Sequence, residues 1–272
     1  MTDTAANWQP LFNSLWQQYL AVTPSALPIH ELLRQQAANG QIVNDHIALR
    51  TFNLAPVNLA QLAAPFEALG YRAAGDYQFI AKKLQAKHFE HPDPLAPKVF
   101  ISELLVDQFS PWLQQQVSHL IAQLPEDFTA SPNWVSAGRP WSIDKETYQQ
   151  LIAESEYAGW LAAWGYRANH FTVSINQLNN NPPLASINDQ LLQVGYSLNT
   201  AGGLIKGSPA ELLEQSSTLA DRVACEFSDG KAEIASCFYE FAKRYPQSNG
   251  ELYSGFVAAS ADKIFESTHQ AK

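Results

Sequence analysis

Residues 43–52 read VNDHIALRTF, which we interpret as a β-strand with a mostly apolar face opposite a face that carries a histidine and an arginine. Alternate residues of a strand face the same way, so His46, Ala48 and Arg50 share one face. The intervening residues are mostly apolar and form the other face. This pattern suits a sheet that packs on one side and lines a pocket on the other, with Ala48 leaving room for a ligand.

The same pattern returns in the second half of the chain. Residues 168–177 read ANHFTVSINQ, which places His170, Thr172, Ser174 and Asn176 on one face and three apolar residues on the other. We expect the rest of the chain to be built around these two strands.

The elements after each strand repeat as well, which indicates two copies of one β-α-β-β-β unit. A helix follows each strand and ends at Gly70-Tyr71 or at Gly195-Tyr196. Asp229-Gly230 predicts a hairpin turn in the second unit. The predicted further strands are 77–83, 87–91 and 98–106 in the first unit, and 204–207, 221–228 and 232–239, running on into Glu240, in the second.

The repeat places the modules at about residues 40–108 and 165–245, with an aromatic-rich helical insert at about 109–164 between them. Helical spacing also predicts two helices in residues 8–38 and a closing helix near the C-terminus. The class is α+β, and residues 1–272 are expected to form a single catalytic domain.

Composition excludes several partners. The chain carries a formal net charge of −9 and 46% hydrophobic residues, so it repels nucleic acid backbone and anionic lipid. No apolar run is long enough to span a bilayer, and the first ten residues do not resemble a signal peptide. Cys225 and Cys237 indicate no disulfide framework and are interpreted as buried apolar residues. The cytoplasm is therefore the expected location.

Three residues suggest a metal site. Two histidines and one carboxylate from different strands form a facial triad, which suits non-haem Fe(II) or Mn(II) and leaves positions free for substrate. His46, His170 and Glu240 are the candidates, because both histidines fall at equivalent positions of the repeat. Glu103 occupies the corresponding place in the first half, as a fourth ligand or an outer group.

Other interpretations of these residues stay open. A lone strand histidine is more often a core or surface residue than a ligand. Arg50 is suited to a substrate carboxylate but could instead form a salt bridge to a nearby acid such as Asp45 or Glu103. His88 and His91 do not align with the repeat, so we expect surface histidines there.

Several long segments resemble the 2-oxoadipate dioxygenase/decarboxylase family over about residues 8–268. They are NDHIALRTF, PKVFISELLVD, ANHFTVSIN, SCFYEFAKRYP and GFVAASADKIFEST. The resemblance implies paired β-α-β-β-β modules similar to the vicinal oxygen chelate superfamily. It also implies an Fe(II) enzyme that converts 2-oxoadipate and dioxygen to 2-hydroxyglutarate and carbon dioxide in lysine catabolism.

The family's residues carry over to positions of this chain. The metal-binding side chains of the resemblance fall on His46, His170 and Glu240, and the arginine that grips substrate falls on Arg50. A substrate contact in the C-terminal segment is assigned to Val257. This chain is shorter than the best-understood members, which bears on the choice of 2-oxo acid more than on the metal.

Two other functions fit the same residues. A glyoxalase-type lyase or isomerase would use a redox-silent metal, with Glu103 or Glu240 as its base. A non-catalytic small-molecule binding module would hold a ligand in the same pocket, because a fold does not fix a function.

Overall fold

The structure, a computed structural model, describes residues 7–268. The residues before this range, which bear on the predicted lack of a signal peptide, lie outside it. Within the range, two β-α-β-β-β modules form one mixed eight-stranded sheet.

The first module matches its predicted order. The strand that contains His46 is followed by a helix and by three more strands, and it pairs in parallel with the last of them. The first of the three begins at residue 72, five residues before its predicted start, and the turn at residues 80–82 is a 3-10 helix. The bounds are β1 Asn44–Phe52, α3 Leu59–Ala68, β2 Arg72–Phe79, β3 Leu84–Glu90 and β4 Lys98–Leu104.

The second module differs from its prediction in its later strands: the strand predicted at 232–239 and running on into Glu240 is two strands, 230–235 and 238–244. The hairpin around Asp229-Gly230 exists, but its two strands pair only with each other, in a separate sheet. The place in the main sheet belongs to residues 213–217, in which Leu213 is followed by four polar residues, three of them buried, without hydrophobic alternation. The bounds are β5 Ala168–Ser174, α7 Leu184–Gln193, β6 Lys206–Ser208, β7 Leu213–Ser217, β8 Arg222–Phe227, β9 Gly230–Ala235 and β10 Phe238–Arg244.

The two modules meet at the centre of the sheet, where β1 and β5 pair in antiparallel fashion. The strand order is β2-β3-β4-β1-β5-β10-β7-β6, so each module contributes four adjacent strands. In this register His46 lies opposite Thr172 and Ala48 opposite His170. The polar faces of the two key strands therefore lie side by side.

The helices cover both faces. On the face opposite the histidines, Tyr19 donates a hydrogen bond to the Phe238 carbonyl (2.7 Å) and the rings of Trp16 and Phe171 lie 4.8 Å apart. On the insert, Tyr157 donates to the Ser102 carbonyl (2.7 Å). The bounds are α1 Gln9–Leu20, α2 Ala26–Arg34, α4 Pro111–Ile121, α5 Lys145–Glu154, α6 Glu156–Trp164 and α8 Ala258–Ile264.

Both modules and the insert contribute to one continuous hydrophobic core. Cys225 and Cys237 are buried and free, as expected. Across residues 7–268, no helix has the length and apolar character needed to cross a membrane.

Candidate metal centre

His46 lies on β1 with its ring almost fully buried. The Asp45 carboxylate lies 2.8 Å from Nδ1 and accepts a hydrogen bond from the Nδ1–H group. The lone pair is then on Nε2, on the side of the ring away from Asp45. Nε2 lies 3.1 Å from the Thr172 hydroxyl and 3.6 Å from Glu240 Oε1.

His170 repeats this arrangement on β5. The side-chain oxygen of Asn169 lies 3.1 Å from Nδ1, and Nε2 lies 3.0 Å from Glu240 Oε2. The ring stacks on Phe238 at a centroid distance of 4.5 Å. Burial lowers the pKa of His170, and Glu240 opposes this shift only in part. The neutral imidazole is the form that ligates a metal.

Glu240 lies on β10 and has no exposed surface. Gln215 on β7 donates a hydrogen bond to Oε1 (2.6 Å). Burial raises the pKa of Glu240, but the imidazoles of His46 and His170 and the Gln215 hydrogen bond outweigh it, and the pKa is lowered. Glu240 is therefore a carboxylate anion in a buried site.

These side chains fit a divalent metal ion. The candidate ligand atoms of His46, His170 and Glu240 lie within 4.8 Å of one another, and all three residues are buried. Glu240 Oε2 lies 3.0 Å from His170 Nε2 but receives no hydrogen bond from it, because the proton of this neutral ring is on Nδ1, where it is bound to Asn169. Among the described residues Oε2 has no other donor, a costly state for a buried carboxylate oxygen. Two neutral imidazoles and one carboxylate are the donor set of a facial triad, which leaves coordination positions for substrate.

The three residues line a cavity on this face of the sheet. The remaining walls are mostly apolar and come from β1, β4 and the C-terminal segment; they include Ala48, Phe100, Phe256, Ala261, Ile264 and Phe265.

Arg50 lines the same cavity with a side chain that is 1% exposed. Its Nη1 lies 3.4 Å from Glu156 Oε1 and its Nη2 lies 3.2 Å from Thr268 Oγ1. Its Nε has no hydrogen-bond partner within residues 7–268. Three aromatic rings surround the guanidinium at 4.8–5.5 Å from Cζ: Tyr157, Trp160 and Phe265.

The structure does not bring Glu103 to this cavity. On β4, Phe100 and Ser102 line the cavity and Glu103 faces the other way, where it accepts hydrogen bonds from the Leu59 amide (2.6 Å) and Gln85. Register gives the reason. Thr172 pairs with Glu240 in the second module as Ala48 pairs with Phe100 in the first, so the equivalent of Glu240 is Phe100.

Other expectations are also corrected. The acid near Arg50 is Glu156, at 3.4 Å, rather than Asp45, which Arg244 binds, or Glu103, which binds the Leu59 amide. Val257 precedes α8 but does not line the cavity, whereas its neighbour Phe256 does.

The expectation of surface histidines fails for His88. This residue is 2% exposed and hydrogen-bonds to Tyr77 (2.9 Å) and Glu90 (3.1 Å). His91 is half-buried and lies 3.1 Å from the Leu69 carbonyl oxygen.

Sequence reasoning missed the side chains that position the ligands. Asp45 and Asn169 directly precede the two histidines, so a hydrogen-bonding residue before the histidine in both repeats was a readable signal. No such signal pointed to Gln215, because it lies on β7, a strand that was not predicted since most of its residues are polar.

A family model described as 2-oxoadipate dioxygenase/decarboxylase matches residues 9–130 and 122–251, which together span most of the chain. The chain belongs to this family. An Arabidopsis thaliana protein named 2-oxoadipate dioxygenase/decarboxylase, chloroplastic, is 36% identical over 93% of this chain and 75% of its own length. Membership of an enzyme family is thus shown. That name places the plant protein in the chloroplast, so the cytoplasmic location of this chain stays a prediction.

Solved structures agree with this membership. A Shewanella frigidimarina protein described as a hydrolase is 58% identical, with a TM-score of 0.89 over 93% of this chain and 99% of its own. The Oryza sativa hydroxyglutarate synthase in complex with 2-oxoadipate is 33% identical, with a TM-score of 0.87 over 96% of this chain and 91% of its own. A Ralstonia eutropha glyoxalase superfamily protein, 20% identical, has a TM-score of 0.73 over 91% and 85%. The last likeness confirms the vicinal oxygen chelate-like fold.

Proposed function

We propose that this protein is an Fe(II)-dependent dioxygenase that converts 2-oxoadipate and dioxygen to 2-hydroxyglutarate and carbon dioxide. The observation that carries the proposal is one cavity lined by two imidazoles, a carboxylate and a buried guanidinium. Family membership and the rice relative's complex with 2-oxoadipate support the choice of substrate.

In this proposal His46, His170 and Glu240 hold the metal. A ferrous ion bound there would supply coordination positions for the 2-oxo acid and for dioxygen. The four electrons that reduce dioxygen come from the substrate, which loses carbon dioxide and gains a hydroxyl group. Asp45 and Asn169 fix the two imidazole rings with Nε2 towards the metal, and Gln215 fixes the carboxylate.

Arg50 binds a substrate carboxylate. A planar guanidinium offers paired donors that match a carboxylate, and its contacts to Glu156 and Thr268 are long enough to be exchanged for stronger ones. The aromatic and aliphatic walls exclude water from the reacting atoms, which strengthens that ion pair. Holding both ends of the substrate fixes its pose relative to the metal.

Oxygen consumption tests the proposal. Anaerobically purified protein is loaded with Fe(II) and given 2-oxoadipate or 2-oxo acids one carbon shorter or longer, and products are identified by mass spectrometry. We expect iron-dependent uptake with one carbon dioxide and one 2-hydroxyglutarate per dioxygen. The His170→Ala variant, as matched control, should bind no iron and consume no oxygen. Conversion of substrate without oxygen uptake would refute the proposal in favour of a glyoxalase-type lyase.

The glyoxalase-type alternative has lost one of its two candidate bases, because Glu103 lies on the other face of the sheet.

We also propose that the reaction belongs to lysine catabolism, as the family resemblance implies. A cytoplasmic location accords with two free, buried cysteines.

A further inference from the structure

Arg244 on β10 binds the carboxylate that orients His46. Its Nε and Nη2 lie 2.7 and 2.8 Å from the two oxygens of Asp45, and Asp45 Oδ1 also accepts the His46 Nδ1 proton. Arg244 is 4% exposed and Asp45 8% exposed. The side-chain oxygen of Asn176 accepts a hydrogen bond from the Arg244 backbone N–H (2.8 Å), and its side-chain nitrogen donates one to the Arg244 carbonyl (2.9 Å). These two bonds fix the position of Arg244 along the strand.

The remaining guanidinium nitrogen of Arg244 holds a different part of the chain. Nη1 donates to the carbonyls of Tyr253 (2.9 Å) and Gly255 (2.7 Å). We call residues 253–256 the roof segment, because its last residue, Phe256, lines the cavity. The Phe256 ring lies 4.8 Å from the His46 ring, perpendicular to it, and 5.2 Å from the guanidinium.

We infer that Asp45 and Arg244 are positioning residues that couple the His46 ligand to the roof segment over the cavity. One guanidinium satisfies the carboxylate behind His46 and two carbonyls of the roof segment, so neither side keeps its geometry when the other loses it. The inference deepens the proposed function, since His46 is taken there as a metal ligand. It predicts that metal binding and roof order are thermodynamically linked.

The second module supplies an internal comparison. His170 is oriented by the side-chain oxygen of Asn169, a neutral amide. The side-chain nitrogen of Asn169, Nδ2, has no hydrogen-bond partner among the described residues. Loss of Asn169 therefore frees a histidine ring without loosening the roof segment. Loss of the Asp45 charge loosens both.

Amide hydrogen exchange in metal-free protein tests this coupling without reference to catalysis. The Tyr253 amide donates to the Tyr245 carbonyl (3.0 Å) and the Phe256 amide to the Tyr77 hydroxyl (3.2 Å), so both report on roof order. Asp45→Asn keeps an acceptor for His46 but removes the charge that holds Arg244. We expect exchange at both amides to accelerate about tenfold or more, the effect of losing hydrogen bonds to a charged group.

The control is Asn169→Ala, which should leave exchange at both roof amides within about twofold of the wild type. This variant should weaken Zn(II) binding about as much as Asp45→Asn does. Competition with a chromophoric chelator measures the Zn(II) affinity. Zn(II) should slow exchange at the roof amides in the wild type and not in Asp45→Asn. Unchanged roof exchange in Asp45→Asn would overturn the inference, as would equal acceleration in Asn169→Ala. Because these readouts need no turnover, they stand or fall separately from the dioxygenase reaction.

Discussion

The surroundings of Arg50 predict that replacing it changes the stability of the fold and the catalytic turnover in opposite directions. Its guanidinium is buried, its Nε has no hydrogen-bond partner among the described residues, and its ionic partner Glu156 lies 3.4 Å away and is 22% exposed. An incompletely satisfied buried charge costs folding free energy. Replacing Arg50 by Met, which is apolar and of similar length, should therefore leave the fold at least as stable.

The magnitude follows from the contacts. The guanidinium's interactions with three aromatic rings contribute about 2–3 kcal/mol, and the contacts to Glu156 and Thr268 about 1 kcal/mol each. Against these stand several kcal/mol for burying the charge and about 1–3 kcal/mol for the unpartnered N–H. We expect the free energy of unfolding of Arg50→Met to rise by about 0–2 kcal/mol, or the Tm by up to about 4 °C.

Turnover should change in the opposite sense. Losing the paired donors to a substrate carboxylate should lower kcat/KM for 2-oxoadipate by about 100-fold or more, with iron content preserved. Urea unfolding of metal-free protein and oxygen uptake of the iron-loaded protein measure the two effects.

Arg244→Met is the matched control, because this second buried arginine has a complete set of partners. Breaking its pair with Asp45 should destabilise the protein by about 3–5 kcal/mol. A loss of more than about 2 kcal/mol in Arg50→Met together with near wild-type turnover would refute the reasoning and make Arg50 a structural residue.

Three further predictions follow from other buried groups. Zn(II) at about 100 times its Kd should stabilise the wild type by about 2.7 kcal/mol in thermal unfolding, and a stabilisation that persists in Glu240→Ala would contradict the metal site. Burial lowers the pKa of Lys206 to about 8. Between about pH 8 and 10 the unfolded chain binds a proton that the folded chain does not, so the free energy of unfolding should rise with pH in this window. Urea titrations should show a smaller rise in Lys206→Met, and equal slopes would exclude this group as the cause. Glu103→Gln should retain oxygen uptake but lose about 1–2 kcal/mol of stability, because the charge at the Leu59 amide is removed; abolished uptake with a stable fold would return Glu103 to the active site.

Much of the metal centre could be predicted from local sequence. Side chains of a strand alternate between two faces, so the repeated histidines at 46 and 170, with Arg50 on the same face as His46, predicted one polar face shared by two modules. Glu240 followed because a carboxylate among aromatic neighbours requires a partner when buried.

The first module's strands and the helices were predictable for a similar reason, since apolar periodicity reports which face is buried. Strand β7 was not, because its buried residues Gln215, Ser216 and Ser217 are polar and form hydrogen bonds with partners far away in sequence.

Tertiary structure decided everything that depends on register between strands. One residue of register separates a side chain in the cavity from one on the opposite face, which is why Phe100 and not Glu103 corresponds to Glu240. The link from His46 through Asp45 and Arg244 to the roof segment joins residues about 200 positions apart, by hydrogen bonds that no local pattern records. The sequence by itself determined which residues carry the chemistry, because alternation along a strand is local. Only the folded sheet determined which of these residues meet, because pairing between strands joins residues that are far apart in sequence.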